Sequence, residues 1–159
     1  MRRKFPASGE ELLVAGLGQP HGADDSIGLV IADRLRSKGI PAISVTDATL
    51  LVDLLVVAQR AILIDAVVGA ALPGSLVELS GEDLESLSSG RPVSTHGLSL
   101  AGAVAIARTL GGSADVRLVG ISILPPKAAS TELSPEVTAS VPDAIARVLA
   151  LCESFEDRD

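Results

Sequence analysis

ELLVAGLGQPHGADDSIG, residues 11–28, is the stretch that decides the fold. Its first part, ELLVAGLG (11–18), is a short apolar run ending in glycines and reads as a buried strand. Beyond the loop, from Asp24 onward, Ile27, Val30, Ile31, Ala32 and Leu35 recur at helical spacing, and Gly39 supplies a stop. A strand, a glycine loop and a helix in that order open an α/β domain. The loop carries a puzzle of its own. Glycines ahead of a helix could receive an anion on free N–H groups, yet Asp24 and Asp25 place negative charge in that mouth.

The pattern continues outward. PAISVTD (41–47) is a second, β-branched strand, and LLVDLLVVA (50–58) suits a helix with Asp53 and Gln59 on its wetter face. RAILIDAVV (60–68) is a third strand, apolar on both sides as in a parallel sheet covered by helices, with Asp65 at its end. After the turn ALPGS comes a fourth strand, SLVELS (75–80), then an exposed helical turn and loop in GEDLESLSSGRP. THGLSLAGAVAIARTL (95–110) is a small-residue helix ended by Gly111 and Gly112, and VRLVGISIL (116–124) a fifth strand. Ser134, Pro135 and Glu136 form an N-cap, an N1 proline and an acidic first turn for a last helix running to about Glu153. Alternating strands and helices make the class α/β with a mostly parallel sheet. A single domain is expected over residues 11–153, with 1–10 and the charged SFEDRD (154–159) as flexible tails.

Composition narrows the function. The chain has 159 residues and a formal charge of −7, which argues against the phosphate backbone of nucleic acid and against anionic membranes. Two Phe, with no Trp and no Tyr, leave little for base stacking. Cys152 is the only cysteine, so neither an internal disulfide nor a thiolate metal cluster is available. No apolar run approaches the length of a membrane span, and the expected location is the cytoplasm.

Right-handed crossovers from the first strand to the second, and back to the third, leave strands one and three adjacent. Ligands of open α/β sheets bind beyond the strand ends at such a reversal. The GLGQPHGADD loop and Asp65 should therefore meet. A dinucleotide site is one reading: Gly16 and Gly18 precede a helix, and Asp47 ends strand two. Gly22 is one place too late for G-x-G-x-x-G, and the acids would repel a pyrophosphate. A cation site is the other: Asp25, Asp65 and His96 supply two carboxylates and an imidazole, a set suited to a divalent transition metal with positions left open. Plainer roles compete at each position. Asp24 and Asp25 could cap the helix, Asp65 could satisfy the next turn, and His96 could be an ordinary helix-start residue. His21 is expected as an exposed loop residue, and Asp47 and Asp53 as rim or structural residues. Ser94 and Ser99 lack a nucleophile-elbow pattern, and no Asp-Thr-Gly, Asp-Ser-Gly or G-x-x-x-x-G-K-[ST] occurs.

From Leu12 to Leu149 the sequence resembles the hydrogenase maturation endopeptidases. The resemblance is carried by GLGQP followed by DDSIG, by ILIDAVV with PGS, by STHGLSL, by RLVGISI and by LSPEV, in that order. It implies a three-layer, phosphorylase/hydrolase-like fold, a twisted five-stranded sheet with helices on both faces. The implied activity is peptidase action, removing the C-terminal extension of a nickel–iron hydrogenase large-subunit precursor after nickel insertion. The implied nickel contacts, and the catalytic set, are Asp25, Asp65 and His96, with Asp24 as a helix-capping neighbour. The metal would be nickel carried by the substrate, or another divalent ion such as zinc, and the protein is expected to act as a monomer. The acids in the glycine loop then make sense, because the guest is a cation. A non-catalytic nickel- or precursor-binding assembly factor on the same fold is the alternative, and a nucleotide-binding oxidoreductase a more distant one. Three departures stand out: Gln19 where the family commonly has Asn, Ser26 where it often has Gly, and Thr46-Asp47-Ala48-Thr49 for its usual Asp-Gly-Gly-Thr. The last bears on which hydrogenase isoform is the substrate.

Overall fold

The computed structural model describes residues 11–88, 99–126 and 130–158. The first strand, β1 (Leu12–Leu17), is followed by a single 3-10 turn (Ala23–Ser26) and by helix α1 (Ile27–Ser37). Then come β2 (Ala42–Val45), α2 (Ala48–Val57), β3 (Arg60–Val68), β4 (Leu76–Ser80) and α3 (Gly81–Ser88). Helix α4 (Leu100–Thr109), strand β5 (Asp115–Ile123) and helix α5 (Pro135–Glu156) complete the order. The strands form one sheet in the order β2-β1-β3-β5-β4, all pairs parallel except β4 with β5.

β1 is buried along its whole length, which is why its sequence shows no polar alternation. The alternation survives in what each residue faces. Leu12 and Val14 join Ile62 and Ile64 of β3 in a core with Ile27, Ile31 and Leu35 of α1 and Val137, Ala144 and Val148 of α5. Leu13, Ala15 and Leu17 point the other way, with Ala61 and Leu63, into a core with Leu51 and Leu55 of α2 and Ala103, Val104 and Ala107 of α4. Helices thus cover both faces, and the three-layer α/β expectation holds.

α1 lies unusually close to the sheet. A Cβ on Gly28 would strike the carbonyl oxygens of Leu17 and Ile64, and one on Gly16 would strike that of Gly28. Glycine at both places is what allows this approach. β1 pairs with β3 only from Leu12 to Gly16, opposite Arg60 to Ile64, while β3 and β5 stay paired through Val68 and Ile123. The first and third strands are indeed adjacent, and they part company at Asp65.

β2 ends at Val45 and α2 starts at Ala48, each a little earlier than the sequence reading, and three helices differ more. α5 continues to Glu156 because Phe155, 2 % exposed, packs into the core with the Arg60 and Arg158 guanidinium groups over its ring, and Arg158 also reaches Asp115. α3 is a two-turn helix that buries Leu84 at 3 % exposure, more than an exposed turn. α4 starts at Leu100, with the Ser99 hydroxyl accepting from the Gly102 N–H at 3.0 Å, so the helix expected from residue 95 begins later. Residues 95–98, His96 among them, lie outside the described residues.

Candidate active site

The C-terminal ends of β1 and β3 open onto a cleft of about 890 Å³. Leu17 at the end of β1, with Gly18 and Gln19 of the first loop, lines one side, Thr46 to Thr49 another, and Asp65, Ala66 and Val68 the floor, with Ser99 and Leu100 at the start of α4. Asp25 also lines it. The cleft lies at the reversal between β1 and β3, the position the crossover argument had selected.

Each acid reaches the cleft by a different local device. Asp65 sits inside β3, three residues before the strand ends; it does not close the strand as expected. It is exposed to the cleft because β1 has already diverged, and its parity follows Ala61 and Leu63 toward the α2 and α4 side. Its Oδ1 accepts the Ala66 N–H at 2.8 Å. Burial pushes the Asp65 carboxyl up to about 7, against the acid-strengthening Ala66 bond and with help from the negative charge of Asp25. Asp25 rides on the 3-10 turn, not on α1 itself, and burial raises its pKa as well. A Cβ on Gly18 would strike the Asp25 carbonyl oxygen, so the glycine loop exists to let this turn close over the end of β1. Among the described residues no Lys or Arg pairs with either carboxylate. Both acids are thus disfavoured when ionised, and neither has a cationic partner among the described residues.

Asp24 does not cap α1. Neither Gly22 nor Ser26, the cap positions of the 3-10 turn and of α1, receives a side-chain cap bond. Asp24 Oδ1 instead accepts the backbone N–H of Ser134 at 2.7 Å, across to the head of α5. Asp47 is the N-cap of α2, accepting the Thr49 N–H at 2.9 Å, and these Thr49 bonds hold its carboxyl below the usual carboxylate range. The Thr46-Asp47-Ala48-Thr49 segment therefore needs no glycine: its residues start a helix at ordinary φ, while the positive-φ non-glycine residues described are His21 and Ala23. Gln19 Nε2 donates to the Thr46 carbonyl at 3.2 Å, tying the first loop to this wall. Asp53 is exposed on α2 and His21 is exposed in the loop, and neither is among the cleft-lining residues. Cys152 is buried in the core.

Asp25 and Asp65 are thus brought together. Among the described residues, no group of three His, Cys, Asp or Glu side chains could hold a metal ion. His96, the third residue of the expected set, lies outside them, three places before the cleft-lining Ser99 in sequence. The sequence reading did not anticipate Ser99 as a cap at the cleft or the long-range partner of Asp24. A Ser followed three residues later by a helical N–H was a usable signal for the first; nothing local pointed to the second.

Comparisons with known proteins address the same architecture. No curated protein matches the chain by sequence. HybD, a hydrogenase maturating endopeptidase from Escherichia coli, superposes with a TM-score of 0.75 at 25 % identity, covering 91 % of this chain and 93 % of that one. The [NiFe] hydrogenase maturation protease HybD from Thermococcus kodakarensis gives a TM-score of 0.66 at 25 % identity over 89 % and 99 %. The hydrogenase 2 maturation peptidase from Thaumarchaeota archaeon SCGC_AB-539-E09 gives 0.56 at 29 % identity over 89 % and 97 %. The HycI hydrogenase maturation protease family model matches residues 45–151, a span that includes the β3 acid and His96 but begins after the glycine loop. With two thirds of the sequence matching that family and nearly the whole domain superposing on its members, the chain belongs to the hydrogenase maturation proteases and is a peptidase.

Proposed function

We propose that this peptidase removes the C-terminal extension of a nickel–iron hydrogenase large-subunit precursor once nickel is in place, and that it reads the nickel directly. Asp25, Asp65 and His96 are the contacting side chains in this proposal. The observation that carries it is the pair of cleft carboxylates whose ionised forms are disfavoured and lack a cationic partner among the described residues. A precursor bringing a divalent ion would relieve that penalty, whereas a precursor without it would leave the penalty in place.

In this reading the metal belongs to the substrate, and the enzyme's acids contribute docking and proton handling. Asp65, standing at about 7 before the substrate arrives, gives up its proton as the cation seats. The cleft then holds the scissile segment along the ends of β1 and β3, where water activated at the site attacks the peptide carbonyl. No serine or cysteine nucleophile is required. A monomer working on one precursor, in the cytoplasm, is the simplest arrangement; no described helix is long and apolar enough to cross a membrane.

The experiment is incubation of a nickel-loaded precursor with the wild-type protein and with Asp25→Ala, Asp65→Ala and His96→Ala, followed by intact mass. Each variant should leave the precursor at full length while keeping a cooperative thermal transition. Trimming at the wild-type rate by any one of them would remove that residue from the site.

A further inference from the structure

We infer that Asp24 is a positioning residue for the cleavage reaction: its carboxylate fixes the turn that aims Asp25 into the cleft. The inference rests on the reading of Asp25 as a nickel contact and extends it to a neighbour that never touches the metal.

The turn needs an external anchor. His21 and Ala23 enter it at φ 61 and φ 52, left-handed values that residues with a Cβ adopt rarely and keep only when their surroundings impose them. The bonds within the turn run from Gly22 N–H to Gln19 O, from Asp25 N–H to Gly22 O and from the Ser26 hydroxyl to Ala23 O. All of them span three residues and shape the turn, while the loop ahead of it is held to the β2 side by the Gly18 N–H on the Val45 carbonyl and the Gln19 amide on the Thr46 carbonyl. The bond from the Ser134 N–H to Asp24 Oδ1 is different in kind: it is 2.7 Å long and joins residues 110 apart. Its other end is a rigid object. Ser134 heads the 22-residue helix α5, whose buried face runs from Val137 to Phe155 in the core shared with α1. Asp24 therefore ties a strained turn to a long helix packed in the core, and Asp25 is the next residue along. An acceptor charge on Asp24 also makes this bond stronger than a neutral one.

A purely stabilising bond and a positioning one make different predictions, and Ser134 separates them. Ser134→Ala removes the hydroxyl that accepts from the Val137 N–H at 3.4 Å, but it keeps the backbone N–H that Asp24 uses. The test measures kcat and KM on a nickel-loaded large-subunit precursor, with thermal midpoints in parallel. Asp24→Ala should lower kcat/KM by roughly 10–100-fold, the usual cost of losing a group that orients a metal contact. Asp24→Asn keeps an acceptor oxygen in place and should return most of that loss. Ser134→Ala should lower the thermal midpoint and leave kcat/KM at the wild-type value.

Wild-type kcat/KM for Asp24→Ala would overturn the inference. So would equal losses of kcat/KM in Asp24→Ala and Ser134→Ala, or an Asp24→Asn variant no better than Asp24→Ala. Should Asp24→Ala fail to fold, Asp24→Leu fills a similar space without an acceptor, and wild-type kcat/KM there would overturn it equally. Asp25→Ala run alongside keeps the two levels apart. An active Asp25→Ala variant refutes the site itself, whereas an inactive one beside a fully active Asp24→Ala refutes only the positioning role.

Discussion

Asp65→Asn should make the substrate-free protein more stable while abolishing its activity. The wild-type carboxyl stands at about 7 in the fold against 3.8 for the free side chain. Its raised folded pKa means that the protonated form suits the native state: this contribution is full below pH 3.8 and is lost as pH rises through about 7. The ionised form is then penalised by at most about 4 kcal/mol. Water in the open cleft softens the burial, bringing the expected value to ~2–3 kcal/mol. Asn is close in shape, stays neutral, and keeps an oxygen for the Ala66 N–H. Urea unfolding of both proteins from pH 5 to pH 8 should show a stability gap that opens in favour of Asp65→Asn with rising pH. Excess Ni2+ at pH 8 should narrow the gap by stabilising the wild type preferentially. A gap that stays flat with pH, or a less stable Asn variant at pH 8, would refute the reasoning.

Other parts of the structure give equally concrete expectations. Gly28→Ala drives a methyl into the Leu17 and Ile64 carbonyls and should cost about 3 kcal/mol in urea unfolding; an unchanged midpoint would mean that α1 is not so closely seated. Phe155→Ala empties a buried site beneath Arg60 and Arg158 and should cost about 3–5 kcal/mol, whereas a frayed C-terminus would make the change neutral. Ser122, fully buried, both donates to the Ala71 carbonyl and accepts from its N–H, so Ser122→Ala should cost ~1–3 kcal/mol. Limited proteolysis should then find residues 69–75 cut faster, and an unchanged digestion pattern would count against this latch.

Much of this was legible in the residues. Strand and helix types followed from apolar runs punctuated by glycine, and the adjacency of β1 and β3 from crossover handedness alone. The cleft and two of its acids followed from that adjacency. What the sequence hid was non-local. The span of β3 was readable as residues 60–68, but Asp65 stands inside it and not at its end, because β5 keeps pairing with β3 to Val68 after β1 has left. Asp47 looked like the end of a strand because its role as the α2 cap depends on backbone angles, not on residue type. The charged tail looked loose because Phe155 is a lone aromatic in it, and the core that buries the ring, with Arg60 and Arg158 over it, is assembled from residues distant in sequence. Asp24 looked like a helix cap because that is what an acid at a helix start usually does; its partner stands 110 residues away.

The central claim is that a substrate-borne cation completes the carboxylate cleft. The most direct measurement is the intact mass of a large-subunit precursor after incubation with this protein, prepared in nickel-loaded and nickel-free forms. The account predicts loss of the C-terminal extension from the nickel-loaded form alone; equal trimming of both forms would contradict it.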